Sequence, residues 1–365
     1  MSKIISIATS VPEFKHEQED ILKFMQRVYA LNEVDKRKLK FLYHQSAIQT
    51  RYSVIPDYSE NASDWKFYQA TENLEPFPSL ELRMKWYNKT STPLSIKAIE
   101  SCISNKISKD EITHLITVSC TGMSAPGLDL RIVEDMNLSK SIFRTSINFM
   151  GCYAAIHGLK LADALCSKDK NAKVMIVCTE LCTLHFQREN TIDNIASSLL
   201  FGDGCAALLV TNDSNISEGL TIKNFYSEVA FKGKKDMSWE LSSSGFLMTL
   251  SGYVPGLIEQ DFNSLLNNAL ENAGMKKDAI SYWCIHPGGK RILSSIEKSI
   301  DISPAQLKES YKVLNNYGNM SSPTIIFVLK EIMDSIAGVK DKKANIFGAA
   351  FGPGLTLETF LLSND

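Results

Sequence analysis

The chain has 365 residues, 44% of them hydrophobic and 22% charged, with 39 basic and 41 acidic residues for a net charge of −2. That length supports a large core, as one extended domain or two fused halves. Charges of both signs are interspersed, which excludes an electrostatic footprint for nucleic acid or an anionic membrane, and no apolar run approaches the roughly 20 residues of a membrane span.

From the N-terminus, "MSKIISIATSVPEF" holds too short an apolar stretch for a secretory core and reads as a first β-strand. A helical pattern over 92–106 leads into the β-branched run "HLITVSC" (114–120). "NFMGCY" (148–153) opens a second helical pattern over 153–168, followed by the runs "KVMIVCT" (173–179) and "AALLVT" (206–211). Beyond them come a helix over 257–273, "ISYWCIH" (280–286), a helix over 323–337 and "ANIFGAAF" (344–351). This alternation predicts an α/β fold with mostly buried strands. The eight cysteines stand at 102, 120, 152, 166, 178, 182, 205 and 284. They form no Cys-x-x-Cys pair and no Cys/His group with zinc-ligand spacing, so no metal site is expected. Several lie in apolar runs, as Cys178 does, and read as reduced thiols of a cytoplasmic protein.

The chain also echoes itself. Strand 114–120 ends in Cys120-Thr121-Gly122, and strand 280–286 ends in His286-Pro287-Gly288. "NFMGC" ends at Cys152 and "NNYGN" at Asn319, both fitting Asn-x-x-Gly followed by a polar residue that opens an apolar helix. Cys152 follows Cys120 by 32 positions, and Asn319 follows His286 by 33. Each half closes on a Phe-Gly-x-Gly turn, "FGDG" (201–204) and "FGPG" (351–354). These matches predict a duplication, with halves over 1–215 and 216–365; the first carries Cys152, the second His286 and Asn319. Halves packed about a pseudo-twofold axis would bring these three residues together.

A cysteine at the first turn of a helix meets free N–H groups and a dipole that favour the thiolate, lowering its pKa from roughly 8.5. Gly151 permits the tight turn that exposes the sulfur. His286, in "HPGG", is the one of six histidines flanked by such turn chemistry, and a nearby imidazole would pair with the thiolate. Taken singly, His286 and Asn319 also fit structural roles; their repeat relation to Cys152 points to function. Papain-like hydrolases use Cys, His and Asn in the same chain order. They place the cysteine near the mature N-terminus, whereas 151 residues precede it here.

From "ISIATSVPEFKHEQ" to "FGPGLTLE" the chain resembles the type III polyketide synthases, the chalcone-synthase-like branch of the thiolase superfamily. The resemblance rests on "GCYAA" with Cys152, "HPGG" with His286, "YGNMSS" with Asn319, "LFGDG" with Phe201, and "FGPGLTLE". "SCTGMSAPG" (119–127) and "DMSWE" (236–240) look more like bacterial members than plant ones. The resemblance implies a thiolase-like five-layer αβαβα fold built from two duplicated halves, assembled as a homodimer. It implies that Cys152 accepts an acyl starter from an acyl-CoA. His286 and Asn319 would then hold the oxygen of malonyl-CoA as it loses CO2, and repeated condensations would end in cyclisation to a pyrone or phenolic product. No cofactor is implied beyond coenzyme A thioesters as substrates. The nearest alternative is a ketoacyl-ACP synthase-like enzyme making a single condensation with the same triad.

By the same resemblance Phe201 and Met248 stand at the two gatekeeper positions between tunnel and cavity, Met248 where plant relatives carry Phe. Cys120, Thr121, Cys182, His185, Trp239 and Ser321 fall at or near cavity-lining positions, as do Gly352, Pro353 and Gly354 of the closing turn; core packing is the alternative for each. Of three basic residues that plant members use for CoA, Lys38 matches one, while Phe41 and Gln45 stand at the other two. The cluster Lys36, Arg37, Lys38 and Lys40 reads either as a phosphate contact or as a solvated helix face. The departure makes an acyl carrier protein an alternative starter donor.

Overall fold

Nine strands join in one mixed sheet in the computed structural model, which describes residues 1–71, 74–216, 218–337 and 343–364. Five belong to the N-terminal part: β1 (Lys3–Ser10), β2 (His114–Ser119), β3 (Phe143–Asn148), β4 (Lys173–Leu181) and β5 (Asp203–Thr211). Four belong to the C-terminal part: β6 (Leu220–Val229), β7 (Tyr282–Ile285), β8 (Asn345–Gly352) and β9 (Thr356–Ser363). Their order is β7-β8-β9-β6-β1-β5-β4-β2-β3.

Read outward from the middle, the two parts repeat one pattern. β1, β5 and β4 pair antiparallel and β2 joins β4 in parallel; β6, β9 and β8 pair antiparallel and β7 joins β8 in parallel. The parts meet at a narrow seam, where β1 and β6 pair only through Lys3 with Thr221 and Ile4 with Leu220. No described strand matches β3 in the second part; there α7 (Lys308–Tyr317) leads to Asn319 as β3 leads to Cys152.

Helices cover both faces, so β4 is buried from Val174 onward and β5 throughout, and both read as near-continuous apolar runs. α2 (Leu80–Ile103) packs outside β1, β5 and β4, and α5 (Val254–Asn272), with α6 (Lys290–Ile300) against it, covers β6. Between the two parts lie α3 (Ala154–Lys168) and α8 (Thr324–Ala337). α3 touches β4 and β2 on one side and β9 on the other; α8 touches β7 and β8 on one side and β1 and β5 on the other. The sheet therefore folds back over these two helices, giving the five layers of the thiolase-like fold. Among the described residues no helix is long and apolar enough to cross a membrane.

The expected strands and the helices over 153–168, 257–273 and 323–337 lie within three residues of their observed bounds. The helix expected at 92–106 instead begins at Leu80, capped by the Ser79 side chain, and runs through Pro93. Its first turns bury Arg83, Tyr87 and Ser91 rather than aliphatic residues, so the apolar period that marks a helix is missing from the sequence there.

Both Asn-x-x-Gly turns use their glycine for the same purpose: φ is +80° at Gly151 and +68° at Gly318. A Cβ on Gly151 would stand 2.3 Å from Pro353 Cδ, so the turn before α3 is moulded against the closing turn of the other half. Gly151→Ala combines that clash with a left-handed backbone that disfavours a side chain by roughly 1–2 kcal/mol. Urea denaturation should show a loss of about 2 kcal/mol or more.

Candidate active site

Cys120 directly follows the last residue of β2 and His286 the last residue of β7, while the turns before α3 and α8 carry Cys152 and Asn319. The fold brings the predicted triad into one cavity. Cys152 Sγ lies 3.9 Å from Asn319 Oδ1 and 4.0 Å from its Nδ2. Asn319 is held by its backbone against Phe201: its N–H donates to Leu200 O at 2.9 Å, and Gly202 N–H donates to Asn319 O at 3.0 Å. Its Oδ1 accepts from Ser321 N–H at 2.8 Å and Thr324 Oγ1 at 3.4 Å, which assigns the oxygen and leaves the NH2 group as the donor available to the cavity. Behind this bridge, the fully buried Arg51 donates through Nη1 to Phe201 O at 2.6 Å and through Nε to Gln18 Oε1 at 2.9 Å.

His286 is fixed through its backbone N–H, which donates to Ala349 O at 2.9 Å. Its ring is 1% exposed, yet neither Nδ1 nor Nε2 has a partner among the described residues. A buried polar ring left without a partner is expensive in a structure that needs nothing from it. This one lines a cavity that a ligand can enter.

The electrostatics correct the expectation of a lowered thiol. Burial pushes the Cys152 thiol up to about 11, with bonds from Ser321 and Asn319 pulling down and the nearby Glu180 carboxyl pushing further up. Burial alone pulls His286 down to about 3. Burial therefore favours a neutral thiol and a neutral imidazole over an ion pair. Desolvation outweighs the turn and helix start on which the expectation rested. All eight cysteines are free, and Cys152 is the one that is not fully buried. Cys120 is buried and its sulfur accepts the Gly151 N–H at 3.0 Å.

Glu180, in β4, is a residue the sequence reading missed. Oε2 accepts from Cys120 N–H at 2.9 Å and Thr121 Oγ1 at 2.7 Å, and Oε1 accepts from Ser322 Oγ at 2.8 Å. One carboxyl thus ties the end of β2 to the turn before α8. Burial raises it to about 7 against those bonds. Its signal was one acid inside the apolar run "KVMIVCTEL".

The cavity measures about 810 Å³. Cys120, Thr121, Cys182, Phe201, Trp239, Met248, Ser321 and Pro353 line it as expected. Trp239 and Met248 are cross-strand neighbours in the hairpin Met237–Ser242 and Gly245–Leu250, and Trp239 Nε1 donates to Cys120 O at 2.7 Å. Four expected residues lie outside the lining. His185 stands behind Thr121, donating from Nε2 to its carbonyl at 2.8 Å, accepting Phe246 N–H at Nδ1, and stacking on the Phe246 ring at 4.2 Å. It is a pillar whose two nitrogens are both spent. Gly352 and Gly354 flank Pro353 without reaching the cavity, Gly352 being packed on the Tyr153 ring. Lys38 lies on the exposed side of α1 (Glu33–Gln45), 2.9 Å from Asp35; that helix buries Leu39 and Tyr43, and it lines the cavity through Phe41, Leu42 and Gln45, which are themselves exposed.

Family models for the chalcone and stilbene synthases match residues 1–214 with the N-terminal domain and 224–364 with the C-terminal domain. The chain belongs to the chalcone and stilbene synthase family. Type III polyketide synthase C of Arabidopsis thaliana is 27% identical over 99% of this chain and 94% of its own length. An alpha-pyrone synthesis polyketide synthase-like protein of Mycobacterium tuberculosis is 28% identical over 98% and 90%. A probable polyketide synthase of Dictyostelium discoideum is 30% identical over all of this chain, which spans only 11% of that larger protein. Among solved structures, PKS-I of the brown alga Ectocarpus siliculosus superposes with a TM-score of 0.93 at 26% identity, covering 100% of this chain and 98% of that one. The C-terminal type III domain of the Dictyostelium hybrid Steely1 gives 0.89 at 28% identity, covering 100% and 99%. The chain is a type III polyketide synthase, an acyl-transferring condensing enzyme. These relatives do not sort it into a bacterial branch.

The neutral resting pair in this synthase has a direct readout. With the thiol near 11, the thiolate fraction at neutral pH is small and grows with pH. Iodoacetamide should label Cys152 first, with a rate rising about tenfold per pH unit from pH 7 to 9, followed by peptide mass. A rate already at its plateau at pH 7 would reveal a resting ion pair instead. Glu180 supplies a stability test. Its folded value near 7 lies above the ordinary 4.5, so its contribution is present at low pH and lost as pH rises through 7. Glu180→Gln should lose less stability between pH 5 and 8 than the parent protein, by a few kcal/mol, in urea titrations at each pH.

Proposed function

We propose that Cys152 carries the growing acyl chain and that His286 and Asn319 hold the developing oxyanions. The observation that carries this reading is the His286 ring: buried, neutral, without a partner at either nitrogen among the described residues, and sharing a cavity with a thiol and an oriented amide. In loading, the Cys152 sulfur bonds to the starter carbonyl, the carbonyl bond to the CoA sulfur breaks, and the Cys152 proton passes through a ring nitrogen of His286 to the leaving thiol. In extension, the imidazole N–H and the Asn319 NH2 donate to the thioester oxygen of malonyl-CoA. The carboxylate departs as CO2 and leaves its electron pair in the enolate. The enolate carbon attacks the Cys152 thioester, and the sulfur leaves to be loaded again. No base is required, because decarboxylation makes the carbanion.

The partners proposed are malonyl-CoA and an acyl-CoA starter, with no cofactor besides these thioesters. Several extensions and closure to a pyrone or phenolic ring suit a cavity of 810 Å³ better than one condensation does. A homodimer is proposed on the family resemblance and on β3, an edge strand with an exposed face that includes Phe143. Eight unpaired cysteines suit the cytoplasm.

Intact-mass assays separate the roles. Cys152→Ala should give no acyl adduct and no product. Asn319→Ala should slow malonyl-CoA decarboxylation by ~10²–10³ while Cys152 still loads, since it removes one of two oxyanion donors. Equal loss of both steps would make Asn319 structural.

A further inference from the structure

Resting on the reading of Cys152 as the acyl carrier, we propose that the starter is a saturated acyl group of about eight carbons or longer, and that its tail lies along α4 (Ile192–Leu200). One end of that helix is at the triad, where Leu200 O accepts the Asn319 N–H at 2.9 Å. The other is at the surface, where Ile192 is 80% exposed. Between the two ends Ile192, Ile195, Ala196 and Leu199 form one helical stripe, and all four line the cavity. None of the α4 residues that line it carries a polar side chain. The helix is turned inside out, with its polar positions tied to the protein. Asp193 Oδ1 accepts Leu250 N–H at 3.0 Å, and Ser198 Oγ accepts the Tyr43 hydroxyl at 3.0 Å. Two further bonds reach its carbonyls, from the Tyr29 hydroxyl to Asn194 O at 3.0 Å and from Gln18 Nε2 to Leu199 O at 2.9 Å.

An aliphatic stripe held open to a cavity in this way gains its missing contacts only when an apolar ligand covers it. The ligand it fits is hydrocarbon. A phenol hydroxyl laid on the stripe would give up water and meet no donor or acceptor from the α4 side chains, which disfavours a hydroxylated aromatic starter. Phe41 and Leu42 of α1, with Met248 and Leu250 of the hairpin, extend the apolar lining, and both of those elements pack against α4. The tail also needs a wall of its own, because a second thioester enters the cavity while the first acyl group is still on Cys152. Among the described residues, the charged side chains of the lining all come from α5 and α6: Glu259, Lys290, Arg291 and Lys298. Hydrocarbon and charge therefore occupy different walls. From Leu199 to Ile192 the stripe spans ~10 Å at ~1.5 Å per residue, about the reach of an extended eight-carbon chain.

The experiment follows loading of Cys152 by intact mass from CoA esters of one series, acetyl through dodecanoyl, and from a hydroxyphenylpropanoyl ester of similar length to octanoyl. The carrier is constant, so differences belong to the acyl group. In the parent enzyme kcat/KM should rise about threefold per methylene up to about eight carbons, as burial of hydrocarbon requires. The octanoyl ester should exceed the hydroxyphenylpropanoyl one about tenfold. Two variants test the register of the tail on the helix. Ala196→Phe, about one turn from Leu199, should lower the ratio of octanoyl to acetyl kcat/KM about tenfold or more. Ile192→Asp, at the outer end, should lower the ratio of dodecanoyl to hexanoyl about tenfold. Because Ile192 stands in water, that second variant keeps the test decisive if Ala196→Phe fails to fold. A flat chain-length profile in the parent, a preference for the hydroxyphenylpropanoyl ester, or variants that scale every chain length alike would each overturn the tail site while leaving Cys152 its role. No loading of Cys152 from any ester would sink the catalytic reading and the tail site together.

Discussion

The architecture depends on two helices whose first turns have no polar face to give to water. α8 is buried without a break from Thr324 to Leu329, and α3 from Ala154 to Ile156. A helix apolar on every side needs cover on every side, and each half-sheet supplies one side. Once the sheet has folded over this central layer, the turns that start the two helices face each other, and so do the ends of β2 and β7. Cys152, Asn319, Cys120 and His286 are the residues at those four places. The active site is thus a by-product of burying the middle of the protein, which explains how residues so far apart in sequence reach 4 Å separation.

Around that junction the protein buries ionisable groups and uses each to fix a loop. Arg51 holds the Phe201 carbonyl behind the Asn319 bridge, and Glu180 holds the end of β2 to Ser322. Asp203 takes Val54 N–H at 2.9 Å, Thr183 N–H at 2.8 Å and Thr183 Oγ1 at 2.7 Å. Among the described residues none of the three completes a salt bridge. Their partners are backbone amides, carbonyls and hydroxyls, which cannot move away without stranding a buried charge or dipole. The walls of the cavity are stiff for that reason. The hairpin carrying Trp239 and Met248 is tied to the same frame by Trp239 Nε1 to Cys120 O, Phe246 N–H to His185 Nδ1 and Leu250 N–H to Asp193 Oδ1, and by its packing on His185.

What the sequence made legible follows from which positions tolerate few residue types. Gly151 and Gly318 sit at positive φ, so both copies of the turn kept their glycine and the repeat stayed visible. The strands were readable because cover on both faces leaves β4 and β5 almost wholly apolar. The start of α2 was not, since Arg83 donates to the carbonyls of Pro78, Leu184 and Phe186 where an aliphatic residue would have announced a helix. His185 shows the limit for cavity residues: one rotation of the ring decides between lining and support, and local sequence does not encode it. The cations of α6 were hidden for a related reason. "KRILSSIEK" reads as an ordinary solvated helix until the fold shows which stripe the cavity meets.

The thiol near 11 and the imidazole near 3 look at first like a site set against its own chemistry. The proposed reaction needs charge on sulfur only while a thioester carbonyl is within reach, and charge on oxygen only while CO2 is leaving. A permanent thiolate–imidazolium pair would occupy the imidazole that the enolate requires as a donor. It would also tie up the Asn319 amide, which stands 4.0 Å from the sulfur and has its oxygen already held by Ser321. Burial that keeps both groups neutral leaves those donors unspent, and the same exclusion of water strengthens their grip on an oxyanion and protects a carbanion from protonation. The exclusion of water that disfavours a lone charge on Cys152 or His286 is also what would strengthen the hydrogen bonds of the proposed donors, His286 and Asn319, to a reacting oxyanion.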